Sequence, residues 1–475
     1  MKKVLELFDH KDAVDLCDNS KLVTRGSMFV ALNRNAEQRK NHIEEAIVRG
    51  AKYIVLEGSE SYCKTENDVM FFSVKNVRAE LARIASYFFP SNFDNVAVVT
   101  GTNGKSSTVD ILRQIWIASG IDVASIGTLG VVEKNGCKKL SHNMTSPDCL
   151  ELHKILHTLC ERKIRYIAME ATSQGIEQHR VDQIKFNVCA FTNFTQDHLD
   201  YHKTLENYWN AKLRLFKELA SEQSVFVANS DDQYSEKIHN VADERKIKYI
   251  DYGYNSNYIR ILKIIPNESQ QWVDALFFRK KISFALPLCG VFQVYNAMCA
   301  ATIAYITGLS IDNIVNCLQK LQPINGRLEL VAQFGSSSIY IDYAHTPDAL
   351  QNAISSLRNH KKSRIITVFG CGGNRDQQKR ILMGKVAEKF SDIVIVTDDN
   401  PRDEDPAQIR KMILEGCQYA IEIGDRKSAI KSAIKMLSDG DTLLVAGKGH
   451  ETYQVIGKES QEFDDKKIIL DEVQK

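Results

Sequence analysis

"VAVVTGTNGKSSTVDIL" spans residues 96–112. Its first residues, small or β-branched, read as a buried strand; Gly101 and Gly104 then make a turn, and Lys105 with Ser106 opens a helical pattern. That order suits a nucleoside triphosphate. Glycines let backbone N–H groups reach phosphate oxygens, Lys105 supplies a point charge, and Ser106 offers a hydroxyl to Mg2+ at the helix N-terminus. The turn as a whole, with Thr102, Asn103 and Ser107, is the candidate ATP-binding segment. The usual spacing, G-x-x-x-x-G-K-S/T, puts a glycine six residues before the lysine; here Val99 stands there, so the first glycine is displaced. A glycine turn beside an ordinary surface lysine does not account for strand, glycines, Lys-Ser and helix arriving together.

Outward from this loop, strand-like runs alternate with helical patterns, as in "MFVAL" (28–32), "NHIEEAIVRGA" (41–51) and "KYIVLE" (52–57). That alternation predicts an α/β fold with parallel sheets. Proline and small polar residues near 87–95, and proline with glycine near 321–330, mark two breaks. Three domains are expected: residues 1–90, a central P-loop ATPase-like domain over 91–326, and a Rossmann-like domain over 327–475. The 475 residues are 44% hydrophobic and 25% charged, the balance of a soluble globular protein. Lys and Arg total 61 against 60 Asp and Glu, so nothing global favours nucleic acid or an anionic membrane, and an anionic ligand must be met locally. Eleven scattered cysteines without Cys-x-x-Cys spacing argue for a reducing compartment. "MKKVLELFDHKDAVDL" carries no long apolar stretch, and a cytoplasmic chain acting as a monomer is the expectation.

Two further stretches bring chemistry. "YIAMEATSQGIEQHRV" (166–181) reads as a strand ending in Glu170, and "FTNFTQDHLDYHKTLENYWNAKLRLF" (191–216) as a strand followed by a turn dense in Asp and His. Making an amide from a carboxylate and ATP transfers the γ-phosphoryl group first, and the charge that develops calls for cations. Glu170 and His198 are candidate metal ligands. Either alone is more often structural, but two strand ends behind a phosphate loop point to a site. Lys212, on an amphipathic helical pattern, reads by periodicity alone as a solvated lysine.

T-G-T-N-G-K-S (100–106) resembles the phosphate loop of the Mur ligases and their folylpolyglutamate synthetase relatives. The resemblance runs along nearly the whole chain. It implies ATP and Mg2+ as cofactors, Glu170 and His198 as magnesium ligands, and Lys212, in A-K-x-x-L-F, as a carbamylated lysine (N6-carboxylysine). "PLCGVFQVYNAMCA" (287–300) matches the segment that places Asn296 near the nucleotide base, while "NGRLE" (325–329) and "IDYAHTPDAL" (341–350) give Arg327, Asp342 and His345 as nucleotide-contacting residues. On the UDP-substrate side the resemblance implies Ser20, Thr145, Ser146, Ser173, Gln178 and Arg180. Here the chain departs from the family in three places. Asn19 and Lys21 replace an acid and an arginine, Arg34 (which lies outside the residues described below), Gln38 and Arg39 fall where G-x-x-x-D-G is common, and Gln174 stands where many relatives have His.

"VIVTDDNPRDEDP" (394–406) sets Arg402 between a proline and three acids, and "VAGKGHETYQ" (445–454) makes a second strand end. D-N-P-R resembles the diaminopimelate-adding members of the family. The partners implied are UDP-N-acetylmuramoyl-L-alanyl-D-glutamate and meso-diaminopimelate. Diaminopimelate is lysine with one more carboxylate, which an arginine reads with a planar, always-charged fork. Asp399, Asn400, Pro401, Arg402, Gly447, Glu451 and Arg375 are the expected contacts, with Lys379 and Arg380 also suited to an anionic group. The bland alternative pairs Arg402 with Asp403, Glu404 or Asp405. Other functions remain open: a lysine-adding or folylpolyglutamate-type ligase, a P-loop switch without ligation, or, from "VFGCGGNRD" (368–376), a dinucleotide oxidoreductase.

Overall fold

A computed structural model describes residues 13–33, 35–60, 62–134, 136–138, 145–267, 270–360 and 364–475. The first twelve residues of the opening segment read above lie outside the described residues. The chain forms two compact units, one from residues 1–98, 122–187 and 211–224, the other from 99–121, 188–210 and 225–475.

In the first unit a five-stranded sheet has the order Leu16–Cys17, Met28–Ala31, Tyr53–Glu57, Val69–Val74, Tyr62–Glu66, parallel except for the last pair. Alternation along Met28–Ala31 sends Met28 and Val30 into one core with Leu81 and Ile84, and Phe29 and Ala31 into another with Ala46, as the pleat requires. Helices Ala36–Val48 and Val77–Phe88 begin where the Asn35 and Asn76 side chains accept the N–H groups of Gln38 and Ala79, satisfying donors a helix start leaves orphaned. Strand Val123–Gly127 pairs in parallel with Tyr166–Glu170, which leaves Glu170 at a carboxyl edge.

In the second unit Val188–Phe191, Val225–Asn229 and Lys248–Gly253 run parallel, and Ile259–Pro266, Gln271–Phe277 and Lys280–Leu286 continue as an antiparallel meander. Helix Lys105–Ala118 packs on helix Val291–Ile306. A second sheet has the order Glu329–Phe334, Ser337–Asp342, Thr442–Ala446, Ile365–Phe369, Ile393–Val396, Ile421–Glu422, and only its first pair is antiparallel. Helices Pro347–His360, Gln378–Phe390 and Pro406–Leu414 cover one face, and Arg426–Lys435 with Asp465–Val473 the other. Burial on both faces is why runs such as "IITVF" and "TLLVA" are continuously apolar instead of alternating. The α/β class and the Rossmann-like character of this sheet follow the sequence expectation.

Candidate active site

The phosphate loop lies in the second unit, where Gly101 (φ +148°) and Gly104 (φ +85°) take conformations that L side chains rarely adopt. A Cβ at Gly101 would stand 2.0 Å from Thr192 Oγ1, and one at Gly104 2.4 Å from Asn296 Oδ1. Both glycines are thus demanded by close approach as well as by backbone. The loop is stitched to the next strand end: Thr102 N–H donates to the Asn193 carbonyl (2.8 Å), Asn103 N–H to Asn193 Oδ1 (2.9 Å), and the Thr192 hydroxyl to the Asn103 carbonyl (2.6 Å). Lys105 Nζ donates to the carbonyls of Gly101 (3.0 Å) and Thr102 (2.8 Å), so its charge is held over the loop's own backbone.

Arg327 reaches this loop. Its Nη2 donates to Ser106 Oγ at 2.9 Å, and the guanidinium lies 4.4 Å from the Tyr343 ring centroid. Asp342, ending strand Ser337–Asp342, accepts the N–H groups of Leu328 (2.6 Å) and Ala344 (2.8 Å). Burial raises its carboxyl to about 6, against the pull of Arg327 and those two donors. The Nε2 atoms of His198 and His345 lie 3.4 and 3.8 Å from Asp197 Oδ2. Burial alone would raise Asp197, but His198, His345 and Lys379 hold it at about 2. Desolvation, then Lys379, pushes the His345 imidazole below its ordinary range although 41% of its side chain is exposed. A cavity of about 460 Å³ is walled by Asn103, Gly104, Ser107, Asn296, Arg327, Asp342 and His345, seven of the eleven residues expected from sequence at the nucleotide; Gly101, Thr102, Lys105 and Ser106 are not part of that wall. The sequence reading missed other parts of this wall: Asp231, which accepts the Tyr295 hydroxyl at 2.8 Å, and Asp348, which accepts Asn103 Nδ2 at 2.9 Å. Asp231 follows the parallel strand Val225–Asn229, and such carboxyl ends are where α/β folds bind ligands, a signal present in "VFVANSDD".

In the first unit Glu170 is 2% exposed, its carboxylate accepting the N–H of Thr128 (2.7 Å) and the Thr128 hydroxyl (3.2 Å). The Thr128 and Thr145 hydroxyls lie 3.0 Å apart, Ser146 Oγ donates to the Glu170 carbonyl (3.4 Å), Arg180 to the Ser146 carbonyl (2.9 Å) and to Gln178 Oε1 (2.9 Å). Ser173 is buried at the start of helix Ser173–Glu177, which Thr172 caps. Thr145, Ser146, Gln178 and Arg180 are therefore joined to Glu170 in one polar chain. Ser20 stands elsewhere in this unit, donating to Glu45 Oε2 at 2.7 Å. A second cavity, about 300 Å³, is lined by Asp18, Asn33, Arg39, His42 and Arg78 among others; of these the sequence reading singled out only Arg39, as a departure. Lys212 is 1% exposed, which overturns the solvated-lysine reading: its helix turns it inward.

At the end of strand Ile393–Val396, Asn400 Nδ2 donates to Glu451 Oε2 (2.9 Å), and Asn400 Oδ1 accepts from Lys448 Nζ (3.0 Å) and Val455 N–H (2.9 Å). Gly447 (φ +113°) admits Asp399, since a Cβ there would be 2.7 Å from Asp399 Oδ2. Arg402 sits in the left-handed region (φ +52°), where its N–H donates to the Val455 carbonyl (3.1 Å) and its carbonyl accepts Gly457 N–H (2.7 Å), clamping it to the hairpin Tyr453–Ile456/Glu459–Glu462. Its Nη1 donates to the Gly373 carbonyl at 2.9 Å. The adjacent acids are taken: Glu404 forms a two-pronged pair with Arg380 (2.9 Å each), Asp405 caps helix Pro406–Leu414, and Asp403 accepts Asn374 Nδ2 at 3.3 Å. The expectation that Arg380 serves an anionic ligand fails, because Glu404 already neutralises it. Neither Arg402 nor Arg375 pairs with a carboxylate among the described residues, and burial, then Arg375, lowers the Arg402 guanidinium from its ordinary value.

Residues 99–304 match the Mur ligase middle domain, and residues 326–449 the Mur ligase, glutamate ligase domain. The chain belongs to the Mur ligase family. This Mur ligase is 40% identical, over 98% of its length and 96% of the relative's, to UDP-N-acetylmuramoyl-L-alanyl-D-glutamate–2,6-diaminopimelate ligase of Rickettsia bellii. It is 40% identical over 94% of its length, and 90% of the relative's, to the protein of the same name from Agrobacterium fabrum. A solved structure bearing that name superposes with TM-score 0.69 at 29% identity, covering 97% of this chain and 95% of the other. The MurF ligase of Thermotoga maritima in complex with ADP superposes at 0.67 and 17% identity, covering 98% of each chain, and shares the fold.

Proposed function

We propose that this Mur ligase uses ATP to join meso-diaminopimelate to the D-glutamyl carboxylate of UDP-N-acetylmuramoyl-L-alanyl-D-glutamate, a step in building peptidoglycan. The observation that carries the choice of amino acid is the pair Arg402 and Arg375, two neighbouring guanidiniums without a carboxylate of their own. A doubly carboxylated amino acid supplies what they lack, and Glu451 offers a partner for its ammonium. Lysine would leave Arg402 desolvated and unpaired, a penalty of roughly 2–5 kcal/mol.

The γ-phosphoryl group passes from ATP to the D-glutamyl carboxylate; an amine of the incoming amino acid then attacks the acyl carbon, phosphate leaves with the C–O bond electrons, and the amine gives up a proton. We assign Gly101, Thr102, Asn103, Gly104, Lys105, Ser106 and Ser107 to the triphosphate, and Asn296, Arg327, Asp342 and His345 to the rest of the nucleotide. Lys105 and Arg327 offset charge on the transferring group. Among the described residues no three His, Cys, Asp or Glu side chains form a ready-made metal cage. Magnesium, which keeps waters and phosphates among its ligands, needs only one or two protein groups, and Ser106, Glu170 and His198 are each of the right kind. When bound it would neutralise phosphate charge. Lys212, buried as it is, suits carbamylation to a carboxylate-like group.

For the acceptor we assign Thr145, Ser146, Ser173, Gln178 and Arg180 to the muramyl dipeptide, and Ser20, with the cavity of Arg39, His42 and Arg78, to the UDP. We place domain boundaries near residues 90 and 326. The ten cysteines whose side chains are described are free and no described helix is long and apolar enough to cross a membrane, and we place the enzyme in the cytoplasm as a single chain. The test is ATP-dependent phosphate release with the UDP-dipeptide and either diaminopimelate or lysine, in wild type and Arg402→Ala. The wild type is expected to prefer diaminopimelate by more than about 30-fold, and the variant to lose most of that preference. Equal use of lysine by the wild type, or undiminished preference in the variant, refutes the assignment.

A further inference from the structure

Lys448 lies in the turn after strand Thr442–Ala446 with none of its side chain exposed. Its ammonium donates to Asn400 Oδ1 (3.0 Å) and to Glu451 Oε2 (3.2 Å), and lies 5.7 Å from the Tyr453 ring centroid. Burying an ammonium is costly, and a lysine placed there only to fill space would be better replaced by methionine. An amide can present either end, and what fixes Asn400 is that its oxygen faces two donors, Lys448 Nζ and Val455 N–H, which turns Nδ2 toward Glu451. Without Lys448 one of those donors is lost, and of the two groups that donate to the Glu451 carboxylate only the Asn400 amide remains beside Asp399.

We propose that Lys448 is a positioning residue for the incoming amino acid, one that does not touch it but fixes the orientation of the Asn400 amide and the negative charge of Glu451 which the substrate's ammonium meets. This rests on reading residues 399–402 and 447–451 as the amino-acid pocket. The groups facing Glu451 are Lys448, Asn400 and Asp399, with Arg402, Arg426, Tyr343 and Tyr453 acting on it electrostatically. Burial raises the Glu451 carboxyl, and Lys448 is the largest influence holding it down, against Asp399. Removing the ammonium therefore moves ionisation of Glu451 to higher pH.

The experiment uses the full chain as Lys448→Met, which keeps length and loses charge, and Lys448→Arg, which keeps charge. Phosphate release is followed at saturating ATP and UDP-dipeptide while diaminopimelate is varied from pH 6 to 9. Lys448→Met is expected to raise KM for diaminopimelate about tenfold or more, with kcat and KM for ATP within about threefold. That KM should fall as pH rises, because the carboxyl regains its charge, while in the wild type the same limb lies at lower pH. Lys448→Arg should recover part of the affinity and the wild-type pH profile. An unchanged KM for diaminopimelate, or a uniform loss in every parameter with an unchanged pH profile, overturns the proposal. Should Lys448→Met not fold, the double variant Lys448→Met, Glu451→Gln removes the unpaired anion; it should fold and bind diaminopimelate weakly with no such pH limb, and a persisting limb overturns the proposal. A wild type inactive with diaminopimelate would instead refute the assigned function, so the two failures are distinguishable.

Discussion

Gly127 closes strand Val123–Gly127, and a Cβ built on it would stand 2.1 Å from Glu170 Oε1 and 2.7 Å from both Cδ and Cγ of that residue. Its φ lies outside the left-handed region, so alanine brings no backbone strain, and in a strand the exchange alone gains roughly 0.5–1 kcal/mol. Any loss must come from Glu170. The displaced carboxylate forfeits the Thr128 N–H at 2.7 Å, a hydrogen bond to a charged group worth about 1.5–3 kcal/mol. Gly127→Ala should therefore destabilise by roughly 1–2 kcal/mol in the wild type but stabilise slightly where Glu170 is already alanine, a coupling of about 1.5–3 kcal/mol. Urea unfolding of the four proteins in that cycle measures the coupling, and a magnesium titration of phosphate release measures its functional side, where Gly127→Ala should need more Mg2+. Equal destabilisation in both backgrounds, or an unchanged magnesium requirement together with wild-type stability, would show that the glycine is not there for Glu170.

Lys212→Ala should lose most activity, and a small carboxylic acid such as formate should restore part of it by entering the vacated space; full activity without rescue would mean that no carbamate acts there. Asp342, raised to about 6 from 3.8, binds more protons folded than unfolded between those values. Its contribution is thus present below pH 4 and lost as pH rises through 6, of order 3 kcal/mol in all. Asp342→Asn should flatten the pH dependence of the urea midpoint between pH 4 and 6, and an identical slope would contradict this.

The phosphate loop was legible because its chemistry is local: glycines, lysine and serine within seven residues carry both the backbone and the charge a phosphate needs. The Rossmann-like sheet was legible for a related reason, since strands buried on both faces must be continuously apolar. Lys212 was misjudged by periodicity because a helix's amphipathic pattern records its average face, whereas the buried position of one lysine depends on what packs against it. The misreading of Arg380 has the same origin. Three acids follow Arg402 in sequence, but only the fold reveals that Glu404 faces Arg380, leaving Arg402 unclaimed. Asp348 was invisible as a ligand-wall residue because its partner, Asn103, is 245 residues away, whereas Asp231 was signalled only by its place after strand Val225–Asn229.

On the proposed reading of Arg402 as the selecting group, the hairpin clamp separates where that group stands from what it is. Two main-chain hydrogen bonds to Val455 and Gly457 hold the backbone at position 402, and neither involves the guanidinium. Another unbranched L-residue at 402 would inherit the same left-handed geometry at a similar backbone cost, and its side chain would leave the backbone from the same point. Preference for one amino acid over another is then a modular property, open to exchange at a single codon without rebuilding the loop that displays it, much as a socket accepts a different key blank without being recut.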